Sequence, residues 1–159
     1  MKSLKRIGMV LAVGLTSILG SVPTAYAAVV NIPGSICQPD IPSEAVNTNY
    51  EISRITNNGP SSLSLICPLV RTNTDSDGGT VYVDVEHFGN QSTACSVSSF
   101  DFNGKFLGSA VGTFNGSGFK EIAMNMNGQG KSSFWSRYTV KCTIPGNKLG
   151  GILGIIISD

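Results

Sequence analysis

Charge is what this sequence has least of. Only 13% of its 159 residues are Asp, Glu, Lys or Arg, split 11 basic to 10 acidic, and there is one histidine, His87. A chain so close to neutral offers no electrostatic footprint for nucleic acid or for an anionic membrane surface, so neither is expected as a partner. It also has no apolar run of the roughly 20 residues that span a bilayer; the run from Ile7 to Gly20 is soon broken by Pro23 and Thr24. No Cys-x-x-Cys pair is present, which removes the common structural zinc motifs. No Gly-x-Ser-x-Gly is present either, which removes the α/β-hydrolase nucleophile. No cofactor is implied.

What is there begins with a leader. Lys2, Lys5 and Arg6 precede the short apolar run, and Ala25-Tyr26-Ala27 supplies small residues at a cleavage site. This is the build of a secretory signal peptide over residues 1–27, leaving one domain over 28–159 that is secreted or periplasmic. All four cysteines, Cys37, Cys67, Cys95 and Cys142, fall after the cut, in a compartment where thiols oxidise.

The remaining sequence reads as strands and turns. Residues 28–44, with Pro33, Pro39 and Pro42, are expected to form an irregular arm tied down by Cys37. Tyr50, Ile52 and Arg54 open a first strand, and Asn57-Asn58-Gly59-Pro60 turns it. Ser62 to Val70 alternates, with Leu63, Leu65, Cys67 and Leu69 on one face; Pro68 keeps it from being central along its whole length. Val81, Val83 and Val85 alternate with Tyr82, Asp84 and Glu86 in the cleanest half-buried strand. Gly89-Asn90 is expected to end that strand, with Thr93, Cys95 and Val97 forming the next. Asn103-Gly104, flanked by Phe102 and Phe106, is the strongest hairpin signal. Residues 108–118 read as a loop or a weak edge strand. Phe119–Met126, Phe134–Ile144 and Ile152–Ile157 are further strands. The fold class is therefore all-β, a single antiparallel β-sandwich of about eight strands with two disulfides.

Four cysteines allow three pairings. Cys95 and Cys142 both lie mid-strand in register with core-facing valines, which favours Cys95–Cys142 together with Cys37–Cys67. Each bridge contributes about 3–4 kcal/mol in the chain-entropy account.

Four groups of residues invite a chemical reading. Asn73, Asp75 and Asp77, followed by Gly78, open like a calcium loop, and Asp84 stands at the twelfth position. Asn at the first position, Asp in place of the closing Glu and strand-like flanks make the match partial; a polar turn explains the same residues. Asp84 and Glu86 share a strand face with Tyr82, two carboxylates that invite a glycosidase reading, yet such pairs normally flank the bond from different elements. His87 falls in line with the buried valines and is expected at the rim of the core. Phe134, Trp135 and Tyr138 form an aromatic cluster that suits either a sugar-stacking surface or the core.

The order of Gly34-Ser35-Ile36-Cys37-Gln38-Pro39, Cys67-Pro68-Leu69-Val70-Arg71, the Val81–Val85 strand, Cys95, the Phe100–Gly104 turn and Tyr138–Cys142 with Ile144-Pro145 resembles a group of small secreted bacterial proteins of uncharacterised function. The resemblance implies a bacterial source and an all-β fold. It carries over no site residue. The leading expectation is a secreted, non-enzymatic structural or interaction domain. The alternative is a carbohydrate-binding or calcium-stabilised adhesive module, and a hydrolase is third. Partner and oligomeric state stay open.

Overall fold

Alternation is most regular between Thr80 and Phe100, and this stretch organises the molecule. In the computed structural model, which describes residues 29–71, 78–128 and 136–158, it is one strand of 21 residues. Among the described residues there are nine strands: β1 (Val29–Pro33), β2 (Gln38–Pro39), β3 (Thr48–Tyr50), β4 (Ile55–Asn57), β5 (Leu63–Val70), β6 (Thr80–Phe100), β7 (Phe106–Asn125), β8 (Arg137–Ile144) and β9 (Gly150–Ser158). All pairings are antiparallel.

Gly89-Asn90 does not turn the chain back, as the sequence suggested. Between the pairs His87↔Gly118 and Gln91↔Gly116, residues 88–90 of β6 face only Ser117 of β7. The surplus makes a bulge, and a bulge bends a strand without ending it. Gly89, Gly116 and Gly118 have φ of 115°, 140° and 87°, values that L side chains rarely adopt, so both strands of the ribbon can bend together. Of the loop and the edge strand that residues 108–118 offered, the structure has the strand: they lie in the first part of the 20-residue β7, which pairs only with β6 among the described residues.

The bent β6–β7 ribbon belongs to two layers. Its far half, Ala94–Phe100, pairs with β8, which pairs with β5, which pairs with β2. Its near half, Thr80–His87, pairs with β9. The other side of β9 takes β4 and then β1, with β3 beyond β4. The two layers close face to face as a β-sandwich around one core. Leu65, Cys67, Val97, Val140 and Ile144 come from one layer, and Val81, Val83, Val85, Ile152, Ile155 and Ile157 from the other; all are 0% exposed. At the ribbon side the layers nearly touch, and a Cβ on Gly112 would stand 2.5 Å from Ile122 Cγ2.

Both disulfides form in the favoured pairing and lie within the same layer. Cys95 and Cys142 are direct partners on β6 and β8, with Cα atoms 4.1 Å apart. Cys37 stands one step before β2 and reaches Cys67 of β5, Cα–Cα 4.2 Å. The proline-bearing arm is more ordered than its composition indicated, because β1 finds an edge on β9 and β2 is held by its cystine. Ile52 belongs to no strand. It sits fully exposed in the β3–β4 connection, because the chain turns between Tyr50 and Ile55. Pro68 is accommodated because β2 covers only Leu65 and Ile66 of the β5 flank.

Candidate functional site

The outward residues of the stapled layer form the surface of interest. Cross-strand register sets them in rows: Pro68, Thr139, Ser98 and Ser109; then Ile66, Lys141, Ser96 and Val111; then Ser64, Thr143, Ala94 and Thr113. Hydroxyls therefore dominate. Ser64 Oγ and Thr143 Oγ1 lie 3.3 Å apart, and the Lys141 ammonium is paired with the Asp40 carboxylate. A shallow depression of about 250 Å³ is floored by Ala94, Ser96, Thr113, Thr143 and Lys141.

At one end the rows meet aromatic rings. Phe100 and Phe106 are direct cross-strand partners, with ring centroids 5.9 Å apart and edge-on. Phe106 is 54% exposed, and Phe102 at the hairpin tip is 63% exposed. Asp101 Oδ1 accepts hydrogen bonds from the Asn103 and Lys105 amides, 2.9 and 2.8 Å, and fixes that tip. The hairpin marked by Asn103-Gly104 thus exists, with a longer loop than a two-residue turn. Arg137 lies opposite Phe100 on β8.

The other layer's outer face is built differently. Asp84 faces Glu121 of β7 and Gly154 of β9. Burial first, and then the Glu121 charge, push the Asp84 carboxyl above the usual carboxylate range. Glu86 accepts from Arg54 at 3.1 Å, and Arg54 also bonds Glu51 at 2.8 Å, an interaction that raises the guanidinium further. Asp84 and Glu86 keep their shared face with Tyr82, but Glu86 is held by Arg54 rather than turned toward a substrate.

His87 is on the inner side and 2% exposed. Its Nδ1–H donates to the Gly116 carbonyl at 2.9 Å, which leaves Nε2 to accept from the Thr93 hydroxyl at 2.8 Å. Its ring stacks on Phe114 at 4.6 Å. It pins the bend of the ribbon, and it does not converge with Asp84 and Glu86.

Of the calcium-loop residues, Asn73, Asp75 and Asp77 lie outside the described residues, and Asp84 is mid-strand beside Glu121. Phe134 and Trp135 also lie outside the described residues. Tyr138 is core, 1% exposed, with the buried Arg71 guanidinium 5.0 Å from its ring centre. Arg71 donates to Ser136 Oγ at 2.9 Å. Among the described residues, Tyr50, Phe88 and Phe119 are exposed elsewhere, and the exposed aromatics at the end of the stapled layer are Phe102 and Phe106, with the half-buried Phe100 beside them. The sequence reading passed over Phe102 and Phe106 as turn flanks. The signal was available: Phe100 shares the parity of Ser96 and Ser98, the outward residues of β6.

No family model and no curated protein matches the chain. Among solved structures it is similar to a GH26-CBM35 β-(1,4)-mannanase of Podospora anserina (TM-score 0.42, 10% identity, 82% of this chain and 27% of that one). It is also similar to the family 11 carbohydrate-binding module of the cellulosomal cellulase Lic26A-Cel5E of Clostridium thermocellum (0.41, 12%, 94% and 97%). A third is the C-terminal CBM6 of the laminarinase LamC of Zobellia galactanivorans (0.40, 11%, 83% and 100%). The chain thus spans 27% of the mannanase chain's length. Superpositions this loose leave the ligand to be read from this chain's own surface.

Proposed function

We propose that this protein is a non-catalytic saccharide-binding module, exported by its leader and stabilised outside the cytoplasm by two cystines. The observation that carries the reading is the outer face of the stapled layer, where hydroxyl rows end at exposed Phe102 and Phe106. Sugars present two surfaces at once, an apolar C–H face and a rim of hydroxyls. An exposed aromatic ring accepts the first, and short hydroxyl side chains exchange hydrogen bonds with the second. The charged side chain in the hydroxyl rows, Lys141, is already paired with Asp40, so the rows suit the neutral hydroxyl rim of a glycan, with Arg137 the cation at their aromatic end.

A glycan array probed with the oxidised protein tests the proposal. Binding to a defined class of glycan is the expected result, and Phe102→Ala/Phe106→Ala is expected to abolish it while leaving the melting temperature within a few degrees, as exposed side chains do. Absence of any hit, or hits unaffected by that double substitution, would refute it.

A further inference from the structure

Among the described residues, every sheet edge but one is short or blunted. β2 has two residues, one of them Pro39, and the β5 flank beyond it carries Pro68. β3 has three residues, and β1 ends in Pro33. β7 is 20 residues long and, among the described residues, pairs only with β6. It contains no proline, and from Phe106 to Phe119 it contains no charge. Exposed edges normally carry lysine, proline or both, because a bare row of N–H and C=O groups recruits another strand. From Phe106 to Phe119 this edge lacks both, with Lys120 only beyond the bend, and a span that bare is built to be covered.

We propose that a second copy of this chain covers it, by antiparallel two-fold pairing of β7 with β7 along Ser109–Asn115. The backbone groups that would bond are identifiable. Cys95 and Cys142, Cα 4.1 Å apart, are at the spacing of a non-hydrogen-bonded pair, so the Cys95 amide and carbonyl point to β7, at Gly112. Those of Val111 and Thr113 consequently point to the free edge. The side chains flanking that edge on the outer face are Ser109, Val111, Thr113 and Asn115, hydroxyl and β-branched residues that favour cross-strand pairing. Charge sets the direction. A two-fold antiparallel arrangement keeps the two Lys105 residues at opposite ends, whereas a parallel one would set them side by side. An uncharged span facing its own copy also creates no like-charge contact, and it offers no counter-ion to a charged peptide. The proposal stands on the edge alone and is independent of the saccharide reading.

Sedimentation velocity of the oxidised protein over a concentration series is the test, with hydrogen exchange on the same samples. The expected result is a reversible monomer–dimer equilibrium in which the Val111 and Thr113 amides gain protection with concentration, while the Gly112 amide is protected throughout. Val111→Lys and Thr113→Pro should each weaken the dimer about tenfold or more, since like charges placed on a cross-strand diagonal and a lost edge donor both oppose pairing. Asn31→Lys, on the other layer's outer face, should change nothing. A monomer at all concentrations, a dimer indifferent to both β7 substitutions, or open-ended assemblies would overturn the proposal. Because the exchange pattern is read on the unaltered protein, a misfolded variant would not rescue it.

Discussion

The two layers share a ribbon but are held together by different means. The stapled layer has both cystines, and its core side mixes Leu, Val and Cys with polar Thr93 and Ser99. The other layer has no cystine and is packed with Val81, Val83, Val85, Ile152, Ile155 and Ile157. Outside, the contrast is reversed. The second layer's face is taken up by Arg54 with Glu51 and Glu86, and by the Asp84–Glu121 juxtaposition. The stapled layer's face has the Lys141–Asp40 pair, mostly short hydroxyls among a few apolar side chains, and phenylalanines with Arg137 at one end. Both layers share one apolar core, and covalent ties allow the stapled layer to keep a small, polar exterior without depending on a charge network for its order. That is the physical reason to place ligand binding there.

The largest effect should come from removing a tie. Replacing Cys95 and Cys142 together by Ala should cost about 3–4 kcal/mol, or about 10 °C or more in melting temperature. Hydrogen exchange should quicken in β5 and β8 before it does in β9. Equal loss of protection in both layers would erase the distinction. Forcing the layers apart comes next. Gly112→Val puts a side chain where Ile122 Cγ2 already stands, and overpacking of this kind costs about 1–3 kcal/mol. Thermal denaturation of the oxidised variant measures it, and an unchanged melting temperature would show that the layers are not in register at the ribbon.

The smallest effect sharpens the comparison of exteriors. Burial and Glu121 raise the Asp84 carboxyl, so the folded protein holds that proton more tightly than the unfolded chain does. Ionised Asp84 therefore opposes folding above its folded-state titration, and the penalty fades as pH falls through the carboxylate range. Asp84→Asn should raise the melting temperature at neutral pH, with the advantage closing on acidification. A variant less stable at neutral pH would mean that the carboxylate is used there.

Much of this architecture was legible residue by residue. Val81, Val83 and Val85 sort cleanly to one side because period-two alternation is a backbone property. The cystine pairing followed from Cys95 and Cys142 sharing that alternation. Pro68 marked a flank. The bend was not legible, because a Gly-Asn step looks the same whether it ends a strand or bulges it; the difference lies in Ser117 across the ribbon. Glycines at 108, 112, 116 and 118 leave a loop and an edge strand equally open for the first part of β7, although Gly112 is required by the close approach of Ile122. Ile52 was misplaced by carrying alternation across a turn. At the candidate site, Phe102 and Phe106 were noted as hairpin flanks, but their joint exposure depends on how Phe100 aligns across β6 and β7.

Amide chemical-shift mapping of the oxidised protein with a glycan selected by array tests the contrast between the layers most directly. Shifts confined to Ser96, Ser98, Phe100–Phe106 and Ser109, with Tyr82, Phe119 and Glu121 unmoved, are the predicted result. Shifts centred on Tyr82, Phe119 and Glu121, or bound glycan that leaves Phe100–Phe106 unchanged, would contradict it.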